Sequence, residues 1–337
     1  MKPLRVFSPN LELLAEIDDY ESMAVTRRWH TYGEISLTVH QDKQHADKLL
    51  NGNILLPGTD YHSAAVIRYR QTELDTLTIR APFLGSFMAQ RVIVPVTLTG
   101  AAETVMKELV DRQAANPVVP ARTIPLLTIA PDLERGQVLT LYAHYENLAE
   151  VLEEISRGSG LGWGVYLTES GFVFEVYEGT DHTVTGQEPV IFSPDFDNVM
   201  QQTLIESQFE EKNAIYVERD GTVVAVGEGE GAERFELYAT APSEGSLEDA
   251  ARQLLQDGIF SLEAEAIGGS FVYRQDYDLG DIVTVQNKRW GVERSARITE
   301  VQEVYEPNNM QVYLTFGDSP PTIIDKVKQE FKRMGGV

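Results

Sequence analysis

Four kinds of side chain in this sequence could carry chemistry: histidines, paired carboxylates, glycine-rich loops and tryptophans. The six histidines are His30, His40, His45, His62, His144 and His182. A zinc hydrolase needs two of them on one helix face, and His40 and His45 stand five apart with no HExxH run anywhere. The segment "SPDFDNV" offers Asp195, Asp197 and Asn198, but the remainder of a calcium loop does not follow, so a turn that closes its own backbone bonds is expected. Glu153/Glu154 and Glu210/Glu211 are carboxylate pairs of the kind glycosidases use, though that chemistry depends on separation in space. "GEGEG" (Gly227, Gly229, Gly231) follows a strand but carries glutamates where a phosphate cradle needs bare amides. "RGSGLGWG" follows a helix, the reverse of dinucleotide order, and reads as a C-cap. "LPGTD" at 56–60 lacks the apolar tail and basic end of a sorting signal. There is no GxxxxGK[ST], no GxSxG and no cysteine, which removes phosphate-loop, serine-elbow, thiolate and disulfide chemistry. The expectation is therefore no catalytic, cofactor-binding or metal-binding residue, and no enzyme.

The elements that would position such groups read as follows. With about 150 residues per domain, 337 residues suggest two domains, or three small ones. The 42% apolar content, with three Trp, fourteen Tyr and thirteen Phe, is ample for packed cores. The opening "MKPLRVFSPNLELLAEIDDY" has no apolar run of signal-peptide length and no window reaches the roughly 18 apolar residues of a membrane span. A soluble chain made in a cytoplasm is expected. The net charge is −24, and residues 141–260 hold 24 Asp+Glu against five Lys+Arg, a net of −19. Such a surface repels phosphate backbones, which argues against specific nucleic-acid binding.

Along the chain, "LRVF", "LELLAEI", "GEISLTVH", "HSAAVIRYR" and "TLTIRA" read as short strands, with a short helix in "DKQHADKLLNG" closed by Asn51-Gly52. After Pro95 a helix is expected in "TGAAETVMKELVDRQAAN" with Thr99 as N-cap, and a second in "NLAEVLEEISRGSG" with Asn147 as N-cap, Leu148, Val151, Leu152 and Ile155 inward, and Gly158 closing. "GWGVYL" and "GFVFEVYEG" form a strand pair. "NAIYVERDGTVVAVGEG" is a hairpin turning at Asp220-Gly221. A helix at "SLEDAARQLLQD", capped by Ser246 and closed by Gly258, precedes strands in "GGSFVYRQDY", "GDIVTVQN", "ARITEVQEVYE" and "NMQVYLTFG". The third of these has Ile298, Val301 and Val304 three apart, which a helix would also allow; its β-branched content favours a strand with a bulge. "PPTIIDKVKQEFKRM" carries an amphipathic stripe of Ile323, Ile324, Val327 and Phe331. The sequence is thus α+β and β-rich.

The segment "YDLGDIVTVQNKRWGVERSARITEVQEVYE…MQVYLTFG" resembles the final β-barrel of phage tail hub proteins. The opening "LRVFSPNLELLAEIDDYESMAVTRRWHTYGEISLTV", with "TLTIRAPFLGSFMAQRVIV" and "VIFSPDFDNVMQQTLIESQFEEKNAIYVERDG", is similar to siphophage and prophage tail proteins of the tail-tip (baseplate) hub family, including the N-terminal hub region of tail-associated lysins. The resemblance implies two small antiparallel β-barrels separated by α+β insertions. The expected parts are an N-terminal barrel (1–95), an α+β middle (96–197), a connecting hairpin and helix (198–258), a C-terminal barrel (259–318) and a C-terminal helix (319–337). It further implies a homotrimeric ring in the virion, at the tip of a phage tail and assembled in the host bacterial cytoplasm. The ring would join the sixfold tail tube to the distal tip and surround a channel through which DNA could pass. The implied partners are distal tail, tail tube, tape-measure and downstream receptor-binding proteins. Many relatives continue into a hydrolase or receptor-binding region; this chain stops at Val337, so no lytic activity is expected of it. Two rival readings remain: a glycan-binding host-attachment module using Trp29, Trp163 and Trp290 as sugar platforms, and a carboxylate glycosidase.

Overall fold

The computed structural model describes residues 2–183, 188–209, 211–241, 245–267 and 270–318. The expected C-terminal helix at 319–337 lies outside them. Contact density divides the chain into two compact units, the first formed by Met1–Met200 with Glu265–Leu314 and the second by Gln201–Ala264 with Thr315–Val337.

The first unit opens with β1 (Leu4–Phe7), β2 (Leu13–Ile17), β3 (Ser22–Arg28), β4 (Glu34–His40), β5 (Ile54–Pro57), β6 (Ala65–Val66), β7 (Tyr69–Glu73) and β8 (Thr76–Pro82). Strict alternation sets the faces: in β4, Ile35, Leu37 and Val39 are buried while Glu34, Ser36, Thr38 and His40 are not. The strands make one sheet in the order β2-β1-β5-β6 and another containing β3-β4-β8-β7. Leu4, Val6, Met23, Val25, Leu37, Leu55 and Ile79, contributed by both, share one core. The expected helix near residue 46 is a single 3₁₀ turn, Ala46–Lys48, and "HSAAVIRYR" is a 3₁₀ turn (Tyr61–Ser63) followed by β6 and β7.

The next elements are β9 (Val96–Ala101), α1 (Ala102–Val110), β10 (Leu127–Ile129), β11 (Val138–Ala143), α2 (Leu148–Ser159), β12 (Gly162–Thr168), β13 (Gly171–Tyr177) and β14 (Ile191–Phe192). Thr99 does not cap α1. It lies in β9 opposite Thr140 of β11, and the first free N–H groups of the helix are satisfied by strand-side carbonyls instead, Ala102 by Gln137 and Glu103 by Arg135. Asn147 does cap α2, its side chain accepting from the Ala149 N–H at 3.0 Å. Termination falls at Gly160, with φ +75°, two residues beyond Gly158, because only Gly160 adopts the left-handed conformation that closes the helix. Leu148, Val151, Leu152 and Ile155 pack with Val105, Leu109, Trp163 and Phe174 in a second core.

The second unit holds β15 (Val199–Ser207), β16 (Ala214–Arg219), β17 (Thr222–Gly227), β18 (Glu236–Thr240), α3 (Leu247–Gln253) and β19 (Ile259–Ala266), bounds that overlap the first unit by one or two residues. The Asp220-Gly221 turn has positive φ at both residues and joins β16 to β17 in unbroken register. Ile215 and Val217 pack on Ala251 of α3. That helix ends at Gln253, so Gly258 does not close it.

Back in the first unit run β20 (Ile282–Asn287) and β21 (Val292–Glu306), and the last strand, β22 (Asn309–Gly317), begins there. Of "GGSFVYRQDY", residues 270–275 form turns around a Tyr273–Tyr277 bridge, not a strand. The ambiguous "ARITEVQEVYE" is one continuous strand. The buried positions are 296 and 298 and then the odd ones from Thr299 to Tyr305, so the strand changes faces as it passes from pairing β20 (292–297) to pairing β3 (300–305). This explains the three-residue step from Ile298 to Val301, while Val304 lies on the other face. The final β segment is thereby hydrogen-bonded into the N-terminal sheet.

Candidate functional site: a braced corner at Trp29

The Leu279-Gly280-Asp281 corner precedes β20. Gly280 has φ +93°, and a Cβ there would fall 2.1 Å from Cζ3 of Trp29. Gly162 meets the same indole, at 2.6 Å from Cδ2, so two glycines exist to let backbone close on one buried ring. The Trp29 indole N–H donates to the Gly160 carbonyl, and the Arg297 guanidinium lies 5.6 Å from the ring centre. Asp281 ties the corner to its neighbours: Oδ1 accepts from the Thr180 N–H at 2.7 Å, Oδ2 from the Asp278 N–H at 2.8 Å, and His182 Nε2 stands 3.2 Å away.

Beside the corner runs a chain of ion pairs. Arg27 of β3 binds Asp278 at 2.6 Å and reaches the Tyr273 hydroxyl. Arg274 binds Asp60 at 2.6 Å and faces Glu303 of β21 at 3.5 Å. Lys2 closes the row, 3.6 Å from Glu303 and bonded to the Tyr305 hydroxyl. Burial alone would push the Asp60 carboxyl up, but Arg274, Arg27 and the Ser63 hydroxyl outweigh it and hold it at about 2. Burial likewise opposes the charge on Arg274, and Asp60, Tyr273 and Glu303 reverse that, so the cation is held more firmly. Two clefts adjoin this row. One of about 350 Å³ is lined by Lys2, Asp60, His62, Tyr166 and Arg274, and one of about 310 Å³ by Arg28, Trp29, Tyr32, Tyr177 and Glu178. A separate network fixes α1: Glu103, fully buried, accepts from Lys107 and from the Arg135 guanidinium.

His30 lies 2.8 Å from the Ser156 hydroxyl, the spacing of a nucleophile and its base. The Ser156 O–H, however, is given to the Leu161 carbonyl, so the hydroxyl accepts from the imidazole and is not activated by it. Burial, with Arg157 and Arg297 nearby, holds His30 at about 3, and thus neutral. The remaining candidates lie apart. His40 accepts from the Asp42 N–H, His45 precedes a 3₁₀ turn, and His144 is exposed near Glu146. Asp195 pairs with Lys288, while Asn198 bonds the backbone of Ser193 and Ile191, as a self-closing turn requires. Gly227 allows the backbone to approach Asn213, whose carbonyl would sit 2.1 Å from a Cβ there. Glu153 holds Arg157 on the outside of α2, and Glu210 lies outside the described residues. Trp29 and Trp163 are buried; Trp290, at the β20–β21 turn, is 42% exposed. No group of three metal-ligating side chains occurs among the described residues, and no described helix is long and apolar enough to cross a membrane.

Asp60, Arg274 and Lys2 gave no sequence signal, since their partners lie more than 200 positions away. Glu303 did give one: it sits between Val301 and Tyr305 on the inward face of β21, where a charge must be paired.

Comparison with known proteins matches this framework. The family model described as Siphovirus ReqiPepy6 Gp37-like protein covers residues 3–318. Among curated proteins none matches. The fold is shared with the 43 kDa tail protein of prophage MuSo2 from Shewanella oneidensis (TM-score 0.60, 12% identity, 94% of this chain and 98% of that one). It is shared equally with a tail protein from Neisseria meningitidis MC58 (0.61, 12%, 95% and 97%). Prophage tail protein gp18 from Listeria monocytogenes EGD-e is a third (0.58, 12%, 98% and 99%). The braced β scaffold is therefore a tail-protein fold, and the chain belongs to the siphovirus ReqiPepy6 Gp37-like protein family.

Proposed function

We propose that this protein is a structural, non-enzymatic component of a phage or prophage tail, acting as a homotrimeric hub at the tip or baseplate. The observation that carries the reading is the whole-length match: prophage tail folds cover 94–98% of the chain. The chemistry supports it, because the buried charges described above are committed to bracing and the His30–Ser156 contact is directed the wrong way for catalysis. In this reading the two sheets around the N-terminal core make one barrel-like module, and the strands β20 and β21 contribute to a second. Two such modules in each of three copies give six similar positions, which lets a threefold ring sit on a sixfold tube. Distal tail, tube, tape-measure and tip proteins are its partners, and the virion is its location. Acidic segments facing a channel would let DNA pass without adhering.

Light scattering across a dilution series tests the assembly. A mass of three times 37.7 kDa is expected; a dimer would overturn the hub. The rival host-attachment reading has one observation in its favour, the exposed Trp290 between Arg289 and the turn glycine. It predicts that Trp290→Ala abolishes binding to bacterial surface glycans.

A further inference from the structure

Two strand edges of the first unit carry complementary features. The strand β7 ends its sheet, and all five of its residues are exposed on both faces. Such a strand has left the core and offers an unpaired backbone edge. Its first half is positive, with Arg68 just before the strand and Arg70 within it, while Glu73 and Asp75 stand at the far end by the turn. Arg68 and Arg70 are exposed, and neither forms an ion pair among the described residues. The β7–β8 turn contains Leu74, with φ +51° and 89% exposure. Glycine, asparagine or aspartate fills that conformation at lower cost, and a leucine there gains nothing from its own fold.

The strand β2 ends the other sheet. A register shift where Phe7 meets Leu13 and Val6 meets Ala15 leaves Leu13 and Leu14 outward, 60% and 37% exposed. Beyond them Glu16, Asp18 and Asp19 are exposed; Glu16 pairs with Arg5 and Asp19 with Lys43 at the surface.

We propose that the β7 edge of one copy pairs antiparallel with the β2 edge of a second copy. Antiparallel alignment sets Thr72 near Leu14, brings Arg68 and Arg70 beside Asp18 and Glu16, and places Leu74 at the Leu13 end. The alignment gives Arg70 and Arg68 carboxylate partners and sets Leu74 diagonally beside Leu14. A β2–β2 pairing would crowd the carboxylates of both copies together, and a β7–β7 pairing would leave the leucines uncovered. The contact joins two different edges, so it repeats from copy to copy and can close a ring. It rests on the hub reading, for which it names the interface.

The cysteine-free chain allows a direct test. A size-tagged Thr72→Cys chain is mixed with a Leu14→Cys chain and oxidised. The expected product is the mixed disulfide, which disappears when Arg68→Glu and Arg70→Glu are added to the Thr72→Cys chain. Predominant homodimers, no cross-link, or a mixed product indifferent to the charge reversals would each overturn the proposal. Light scattering of the unmodified chain separates the two readings. A trimer without the cross-link removes this edge and keeps the hub. A monomer that still forms the charge-dependent cross-link keeps the edge and removes the trimer.

Discussion

At the residue scale, the corner at Trp29 shows how a glycine and a carboxylate act structurally. Gly280→Ala places a methyl 2.1 Å from the indole at a φ of +93°, so the variant is expected to lose about 3 kcal/mol, measurable as a fall in the urea midpoint. A change below about 0.5 kcal/mol would mean the ring has room to move. Buried groups contribute to the acid limb of stability in overlapping windows, His30 in the upper part and Asp60, with Glu103 held at about 2, in the lower. The folded chain holds His30 at about 3 against an ordinary 6.5, so the unfolded chain binds its proton first. Its contribution is complete above pH 6.5 and is lost as the pH falls towards 3. Asp60, at about 2 against 3.8, contributes fully above its unfolded value and loses that contribution between them, on the order of 2 kcal/mol. His30→Gln should therefore flatten the upper window and Asp60→Asn should make the lower one shallower, Glu103 supplying the rest, in denaturant titrations at stepped pH. Loss of both windows in either variant would show that the groups are coupled.

At the element scale, α2 shows what a local signal can guarantee. Asn147 caps the helix and its amide also donates to the Ala89 carbonyl at 2.9 Å, so Asn147→Ala is expected to cost about 1–2 kcal/mol. An unchanged thermal midpoint would show that the helix start is held by packing alone. The β7–β8 turn makes the opposite prediction. Leu74→Asn relieves a strained position without touching the core, so stability should stay within about 1 kcal/mol of the parent or rise. The same variant should weaken the Thr72–Leu14 cross-link. A clear loss of stability would mean that Leu74 serves its own chain. Helices and hairpins of this kind were readable because their determinants lie within a few residues. Asn147 with its inward stripe and Asp220-Gly221 are examples. Thr99 and Gly158 misled because an adjacent strand and a later glycine satisfied the same backbone groups.

At the scale of the whole molecule, net charge is the governing quantity. A chain at −24 repels itself, and salt near 0.15 M shortens that repulsion to about 8 Å while leaving the buried pairs nearly untouched. The thermal midpoint should therefore rise from low salt to physiological salt. A falling midpoint would show instead that exposed attractive pairs dominate. The strand-rich class and the tail-protein resemblance were legible because alternation and the order of short motifs survive along the chain, and the family match over residues 3–318 agrees with them.

By itself the sequence determined alternating strands such as β4, the Asn147 cap, the Asp220-Gly221 hairpin, the net acidity and the absence of thiol chemistry, since each depends on local spacing or on composition. Only the tertiary structure decided that β21 joins β3, that Gly280 exists for Trp29, and that Asp60 answers Arg274 across 214 positions. The physical reason is the range of the forces. Backbone periodicity and capping act over one turn or one strand, whereas burial pairs charges and closes rings against backbone wherever the chain happens to return. For the same reason Trp29 and Trp163 read from sequence as possible sugar platforms and became core: an aromatic ring declares its type in the sequence, and its neighbours only in the fold.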